Sequence, residues 1–251
     1  MQFLKPMAII AALLGATAVG ATDLEAMSDA EREAFRAEVR AYLMENPEVL
    51  MEAIDVLEQR QAVAEVMQDQ VLVAANSDAI FASPFDYVGG NPDGDITLVE
   101  FLDYRCGYCR RVFPDVERLI EEDGNIRFII KELPILGEAS VLATRFALSA
   151  KMVAGDEAYR ALHDAMMVMR AEVSEASLMA VASQLDLDAD AIMNNIGSSE
   201  ITQIIETNYA LAQRLNISGT PSFIMNDQMM RGAVPYDTMA SLAEELRAAQ
   251  D

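Results

Sequence analysis

The sequence predicts an α/β domain that carries an inserted helical segment and follows an all-helical arm. Three observations lead to this fold class. Residues 96–133 have the pattern of strand, helix and strand, which is typical of a βαβ unit with two parallel strands. Residues 138–215 have helical patterning throughout, and residues 28–75 repeat apolar positions at helical spacing before the first strand.

Residues 1–21 have the pattern of a signal peptide that is removed on export. Lys5 supplies a positive charge, residues 7–14 form a short apolar run, and small residues at 16–21 provide cleavage sites. An uncleaved anchor is the alternative, although the run is shorter than the about 20 residues that span a bilayer. We therefore expect an exported, soluble, periplasmic protein, in a compartment where disulfides persist.

Residues 22–82 are expected to form the helical arm. Ser28 and Glu31 have the spacing of a capping box for a first helix, and Asn46-Pro47 ends that helix and opens a second. The second helix places apolar residues on one stripe, at Leu50, Ile54, Leu57, Ala64 and Val71. Because such a stripe needs a partner surface, we expect the arm to associate with further copies of the chain. Packing against the following domain is the alternative.

Residues 83–251 are expected to form the α/β domain. Turn and linker signals fill residues 76–95 and mark the boundary with the arm. Residues 96–104 have the pattern of a buried strand, and residues 126–133 form the second strand. The helix between them contains Pro114, which should kink it, because a proline inside a helix removes a backbone hydrogen bond.

The remainder of the domain is predicted to consist of helices and one short hairpin. The helices cover residues 139–152, 157–169, 175–184, 189–215 with a break near Gly197, and 236–249. Residues 221–226 and 228–232 are predicted to pair as antiparallel strands around a turn at Asn226-Asp227. The helical insertion therefore spans about residues 138–215.

The chain has two cysteines, Cys106 and Cys109, which are separated by Gly107 and Tyr108. They lie at the start of a predicted helix, where unpaired N–H groups and the helix dipole stabilise a thiolate. We expect Cys106 to be the nucleophile with a lowered pKa, and Cys109 to resolve the mixed disulfides that Cys106 forms. A purely structural disulfide over so short a loop would gain little chain entropy. The one histidine, His163, cannot complete a four-ligand zinc site with the two cysteines, and a site assisted by carboxylates is the disfavoured alternative.

The chain is strongly acidic, with a formal net charge of -23 from 41 acidic and 18 basic residues. Nucleic acids and anionic membrane surfaces would repel it, and we exclude both as partners. Arg105, Arg110 and Arg111 nevertheless place positive charge beside the two cysteines. The 16 methionines are interpreted as core-filling and client-binding residues rather than soft-metal ligands.

Several motifs together resemble the DsbA-like disulfide oxidoreductases, which have the thioredoxin fold. In chain order they are Phe101-Leu102-Asp103-Tyr104, the Cys106-Gly107-Tyr108-Cys109 helix with Pro114, Lys131-Glu132-Leu133-Pro134-Ile135-Leu136-Gly137, and Gly219-Thr220-Pro221-Ser222-Phe223. The resemblance covers residues 87–251 and implies a thioredoxin fold with a helical insertion.

The resemblance also implies roles for residues outside the cysteine pair. Thr220-Pro221 matches the family's cis-proline loop, which lies beside the reactive cysteine and pairs with substrate backbone. Glu100 matches the buried acid beneath the active site, whose pKa burial would raise, and is a candidate proton relay for Cys109. The alternative for Glu100 is a partly exposed carboxylate at a strand end. His163 is expected to be an ordinary core or surface histidine, and Tyr108 a client-facing aromatic side chain.

The residues between the cysteines separate this chain from DsbA, which carries Pro-His there. Gly107-Tyr108 is the pair found in DsbC-type isomerases, and it lacks the imidazolium that helps to stabilise the DsbA thiolate. Cys106 should therefore be less acidic than the DsbA cysteine, and its disulfide less oxidising. Together with the helical arm, this motif is similar to the suppressor-of-copper-sensitivity C proteins, some of which are trimeric.

We therefore expect an exported thiol-disulfide oxidoreductase that isomerises or reduces client disulfides and needs no cofactor beyond the redox-active pair Cys106 and Cys109. The expected partners are misfolded or cysteine-containing exported proteins, a membrane-bound thiol reductant, and further copies of the chain, with three as one possible number. Two alternatives stay open at this point. One is a dithiol oxidase that introduces disulfides, and the other is a cell-envelope protein that binds Cu(I) through its thiols.

Overall fold

A five-stranded mixed sheet lies at the centre of the larger of two units in the computed structural model, which describes residues 27–249. The two units are Met1–Gln59 and Arg60–Asp251. The predicted signal peptide, residues 1–21, lies outside the described residues. The strands are β1 (Tyr87–Gly90), β2 (Ile96–Leu102), β3 (Ile126–Glu132), β4 (Ser222–Met225) and β5 (Gln228–Arg231).

The strands follow the order β1-β3-β2-β4-β5 across the sheet. β2 and β3 are parallel, which confirms the predicted βαβ unit, and the other three pairs are antiparallel. The predicted hairpin is also confirmed, because β4 and β5 pair around a turn in which Asn226 adopts a positive φ of 52°. Because β2 is the central strand, its carboxyl end lies midway along that edge of the sheet.

The described helices are α1 (Asp29–Glu45), α2 (Glu48–Ala75), α3 (Ser77–Phe81), α4 (Gly107–Asp123), α5 (Glu138–Ala154), α6 (Asp156–Val168), α7 (Glu175–Gln184), α8 (Ala189–Asn195), α9 (Ser199–Arg214) and α10 (Tyr236–Ala248). The predicted break near Gly197 is confirmed by the gap between α8 and α9. Helices α5 to α9 form the insertion between β3 and β4, so the predicted fold class is confirmed.

The side chains of β2 alternate between the two faces of the sheet. Leu98 and Leu102 enter the core that also contains the apolar side of α4, whereas Val99 and Phe101 enter a second core. Because side chains two residues apart share a face of a strand, Glu100 lies on the α4 side. The strand therefore places a carboxyl group beneath the helix that bears the cysteines.

Residues 76–95, which were predicted as a connector, contain two regular elements, α3 and β1. Gly90, whose position favoured a turn, is part of β1 and has a positive φ of 65°. A Cβ there would lie 2.3 Å from the backbone oxygen of Ile126, so the close approach of the edge strand requires glycine. Buried Lys131 holds this segment in place through an ion pair with Asp86 and a hydrogen bond to the oxygen of Ala79.

Helix α1 begins with the predicted capping box, since Ser28 Oγ accepts from Glu31 N and Glu31 Oε2 accepts from Ser28 N. In the unit Met1–Gln59, the apolar stripe of the second helix is exposed, with 49% exposure at Leu50, 46% at Ile54 and 54% at Leu57.

None of the helices in residues 27–249 is both long and apolar enough to cross a membrane.

The end of α2 belongs to the larger unit and packs onto the sheet. The carboxylate of Asp69 accepts two hydrogen bonds from the guanidinium of Arg231, at 2.6 and 2.8 Å. Val73 is buried in the second core of the sheet. Asp69 and Val73 do not belong to the predicted stripe, whose five residues are all exposed, including Val71 at 67%. The packing alternative therefore does not account for the stripe, and its self-association stays a prediction.

Candidate active site

Cys106 follows the short turn that connects β2 to α4, and it is the N-cap residue of that helix. The turn before it is fixed by Asp103, whose carboxylate accepts hydrogen bonds from the backbone N–H groups of Arg105, Ile135 and Leu136 at 2.8 to 3.0 Å. Sequence reasoning did not single out Asp103 by itself. Its carboxylate joins the end of β2 to the loop after β3 and so positions the cysteine.

The sulfur of Cys106 is held between two backbone segments. The backbone N–H of Cys109 donates to it at 3.5 Å, and in its protonated form the Cys106 thiol donates to the carbonyl oxygen of Thr220 at 3.0 Å. The Thr220-Pro221 peptide bond is cis. The structure thus brings Thr220 and Pro221 beside Cys106, although more than one hundred residues separate them in the chain.

The two thiols have opposite pKa shifts. The hydrogen bond from the Cys109 side chain is the main factor that lowers the pKa of Cys106 to about 5, and the backbone N–H groups at the start of α4 contribute. The same hydrogen bond, together with burial and the nearby Glu100, raises the pKa of Cys109. At neutral pH the pair therefore consists of a thiolate at Cys106 and a thiol at Cys109.

Access also differs between the two sulfurs. Cys106 keeps 6% of its surface exposed and Cys109 keeps none, and the two cysteines are not joined by a disulfide. An incoming disulfide can therefore reach only the thiolate. This arrangement is the one that nucleophilic exchange at Cys106 and later attack by Cys109 require.

Glu100 lies in the core on the α4 side of β2, with 2% of its surface exposed. Burial raises the pKa of its carboxyl group to about 8, and the negative charges of Glu117 and Cys106 add to the effect. Among the described residues, nothing donates a hydrogen bond to its Oε1 atom. A carboxyl group with this pKa exchanges protons near neutral pH, and the relay role assigned to it stays a prediction.

Gly107 and Tyr108 form the outer surface of the site. Tyr108 is 58% exposed, and the guanidinium carbon of Arg111 lies 5.0 Å from the centre of its ring. A Cβ at Gly107 would meet no atom within 4 Å, so the first turn of α4 is open there. The start of α4 is therefore open to the surroundings at these two residues.

A buried polar cluster lies behind the site, and sequence reasoning missed it. Glu132 accepts hydrogen bonds from the hydroxyl groups of Tyr104, Tyr159 and Thr144 at 2.7 to 2.8 Å, and burial raises the pKa of its carboxyl group to about 7. The Nδ1 atom of His163 lies 3.1 Å from the Tyr104 hydroxyl, and burial lowers its pKa to about 3. His163 is thus a neutral core histidine.

A signal for this cluster was present in the sequence. Glu132 ends one strand of the parallel pair, and Tyr104 follows the end of the other. The carboxyl ends of adjacent parallel strands meet at one edge of the sheet. The polar residues at both ends were therefore candidates for direct contact.

Two family models match the chain. Residues 97–244, which are more than half of the chain, match the DSBA-like thioredoxin domain. Residues 31–64 match the N-terminal domain of the copper resistance protein ScsC. The two matches divide the sequence between the helical arm and the domain that bears the cysteines.

Solved structures with similar folds include close sequence relatives. A thioredoxin-like oxidoreductase from Silicibacter pomeroyi DSS-3 is 38% identical, with a TM-score of 0.65 over 69% of this chain and 98% of that protein. ScsC of Proteus mirabilis in a transitional conformation is 30% identical, with a TM-score of 0.66 over 89% of this chain and 100% of that protein. A periplasmic thioredoxin-like protein from Salmonella enterica serovar Typhimurium is 31% identical, with a TM-score of 0.59 over 67% of this chain and 94% of that protein.

The first curated relatives are much longer proteins. The Na(+)/H(+) antiporter NhaA 3 of Salinispora tropica is 29% identical over 167 residues, which are 65% of this chain and 24% of the relative. The chain thus matches about a quarter of the length of the curated relative.

Proposed function

The chain belongs to the oxidoreductase family of DSBA-like thioredoxin domains and carries a ScsC-type N-terminal domain, and we propose that it isomerises or reduces the disulfides of exported client proteins through Cys106 and Cys109. The observation that carries this proposal is the asymmetry of the two thiols. Cys106 is acidic and keeps a small exposed surface of 6%, whereas Cys109 is completely buried and protonated. A nucleophile and a resolving thiol need these different properties.

The reaction begins when the Cys106 thiolate attacks one sulfur of a client disulfide. A Cys106–client disulfide forms, and the other client sulfur leaves as a thiolate. In isomerisation, that thiolate attacks a second client disulfide, and a client thiolate finally displaces Cys106. In reduction, Cys109 loses its proton and attacks Cys106, which releases the client thiol and passes two electrons to the client.

Glu100 is the proposed acceptor of the Cys109 proton. It lies on the same side of β2 as the cysteine helix, and its charge is one of the influences that raise the pKa of Cys109. With a pKa of about 8, about one tenth of the Glu100 carboxyl groups are deprotonated at neutral pH, and this fraction can take the proton and return it. The oxidised pair is then reset by a membrane-bound thiol reductant, which supplies the two electrons.

The acidity of Cys106 supports isomerisation or reduction over oxidation. Its pKa of about 5 lies below that of an ordinary thiol. The DsbA cysteine is more acidic, with a pKa of about 3.5, and DsbA is a strong oxidant because its reduced form is stabilised. A smaller stabilisation of the thiolate favours a less oxidising disulfide, in line with the Gly107-Tyr108 pair.

The exposed stripe on α2 supports a homo-oligomer, with three subunits as the number suggested by the family resemblance. Residues 31–64 match the ScsC N-terminal domain, and Leu50, Ile54 and Leu57 lie exposed within that range. Joining several sites raises the effective concentration of thiolate around one misfolded client. The arm therefore suits repeated attack on wrong disulfides.

The periplasm is the proposed location. The signal-peptide pattern supports export, and the Salmonella relative is described as periplasmic. Clients with several cysteines fold in such compartments, and disulfides persist there. Misfolded exported proteins are therefore the proposed substrates.

The test is the refolding of scrambled ribonuclease, run beside a redox titration of the protein. We expect recovery of ribonuclease activity and a reduction potential more negative than the about -120 mV of DsbA. A potential equal to that of DsbA, with the protein oxidised in cells, would establish the dithiol oxidase instead. Stoichiometric Cu(I) binding without any ribonuclease recovery would support the copper-binding alternative.

A further inference from the structure

A basic cavity of about 310 Å³ is lined by arginines that flank the two cysteines in the sequence, and we propose that it binds carboxylate side chains of the client segment that flanks the target disulfide. Arg105, Arg110 and Arg170 line this cavity together with Tyr104. The inference deepens the proposed function and rests on it, because it names the class of client that the site prefers. That class is an acidic polypeptide segment next to a disulfide.

Two of the arginines are anchored through backbone oxygens. Arg105 Nη1 donates to the carbonyl of Leu136 at 2.8 Å, and Arg110 Nε donates to the carbonyl of Met167 at 2.9 Å. A guanidinium has five N–H donors, so each keeps several for a ligand. The anchors fix the direction of the side chains without neutralising their charge.

None of the three arginines forms an ion pair within residues 27–249, although the chain contains 41 acidic residues. Other arginines of the same unit are neutralised, since Arg160, Arg231 and Arg247 each pair with two carboxylates. Within the described residues, Arg127, Arg145 and Arg214 also bond only to neutral oxygens, so the distinctive feature of the cavity is that three arginines without ion pairs meet in one wall.

The cavity wall contains one acidic residue, Glu172. Three arginines against one glutamate leave a formal charge of about +2 in a protein whose total is -23. This local positive charge attracts a carboxylate and repels an ammonium group. Arginine forks also bind carboxylates through paired hydrogen bonds.

The surroundings of the cavity indicate a peptide rather than an isolated anion. Leu136 and Val168, which adjoin the arginine anchors, are 45% and 62% exposed, and Tyr108 is exposed above the cysteines. A segment with both acidic and apolar residues can therefore contact the apolar rim while its carboxylates enter the cavity. Arg105 directly precedes Cys106, so such a segment brings its disulfide to the thiolate.

The experiment uses the full-length mature protein and three peptides that differ only beside one cysteine, where they carry glutamate, glutamine or lysine. Each peptide cysteine forms a mixed disulfide with 2-mercaptoethanol, a neutral leaving thiol. Chromatography measures the second-order rate constant of reduction. At low ionic strength we expect the glutamate peptide to react about three- to tenfold faster than the lysine peptide, and the ratio to approach one in high salt.

The variant Arg170→Glu tests the cavity itself. Its side chain has no hydrogen bond or ion pair among the described residues, and it lies in an exposed loop, so the fold should tolerate the change. We expect the preference to reverse toward the lysine peptide. The control is Arg214→Glu, which makes the same charge change on α9, where Arg214 donates to Asn76, and should keep the wild-type ratio.

The outcomes separate this inference from the proposed function. Equal rates for the glutamate and lysine peptides, or a preference that Arg170→Glu leaves unchanged, would overturn the acidic-client inference while thiol exchange stands. Failure to reduce any of the three peptides would overturn the proposed function instead.

Discussion

At the scale of single residues, the burial of Glu100 makes the stability of the reduced protein depend on pH. Its pKa is about 8 in the folded protein and has an ordinary value near 4.5 in the unfolded chain. Between these values the folded state binds one more proton than the unfolded state, so stability falls as pH rises. Glu132, with a pKa of about 7, acts in the same direction over a narrower range.

The variant Glu100→Gln should flatten this dependence. Glutamine keeps the size of the side chain and has no charge to bury, so we expect it to be about 2–4 kcal/mol more stable than wild type at pH 9 and similar at pH 5. Urea unfolding of the reduced proteins between these pH values measures the difference. The control is Glu121→Gln, an exposed position on the same helix as the cysteines. Parallel curves for Glu100→Gln and wild type would refute the assigned pKa.

The hydrogen bond between the two cysteines should set the acidity of Cys106. In Cys109→Ala the main donor to the thiolate is lost, and we expect the pKa of Cys106 to rise by about 1–2 units. Cys109→Ser keeps a hydroxyl donor and should raise it less. The pH dependence of alkylation by iodoacetamide gives the three values. Identical values in all three proteins would show that the helix start alone stabilises the thiolate.

The sequence predicted some residues of the site better than others, for physical reasons. Cys106 and Cys109 were evident because they are the two cysteines of the chain and lie at a helix start. The approach of Thr220 came only from the family resemblance, since no local pattern relates positions so far apart in the chain. The three backbone hydrogen bonds of Asp103 depend on loop coordinates that no residue spacing encodes.

At the scale of elements, the exposed stripe of α2 gives a test of self-association. Ile54→Asp places a charge at the centre of the stripe, and burying it in an interface would be costly. We expect the mature protein to dissociate to monomers, as measured by light scattering. The control is Gln59→Asp, which lies about 140° around the helix at about 3.6 residues per turn and should leave the mass unchanged. A wild-type protein that is already monomeric would contradict the oligomer proposal.

The pattern of apolar residues in the sequence predicted the helices better than it predicted the short strand β1. Helices α6, α9 and α10 are amphipathic over three or more turns, and the order of the helical segments in residues 138–249 was predicted. Strand β1 has four residues, of which two are glycines, and it exists because Tyr87 to Gly90 pair with β3. Short edge strands of this kind take their structure from the partner strand and leave no periodic signal of their own.

At the scale of the whole molecule, the net charge of -23 opposes association of several copies. We expect the proposed oligomer to tighten as ionic strength rises, because the Debye length falls from about 30 Å at about 0.01 M to about 8 Å at about 0.15 M and screens the repulsion. Sedimentation velocity at a fixed protein concentration measures the change. Weakening by salt would indicate that ion pairs, rather than the apolar stripe, hold the copies together.

Because Cys109 is completely buried, thiol titration of the folded protein can count the active sites that are reduced. In the folded, reduced protein a bulky thiol reagent should consume one equivalent per chain, whereas the unfolded chain should consume two. The ratio of reacted sulfur to protein therefore reports how many subunits of an assembly are reduced at a given moment. A half-oxidised assembly would be recognisable as a fractional stoichiometry, without separating its subunits.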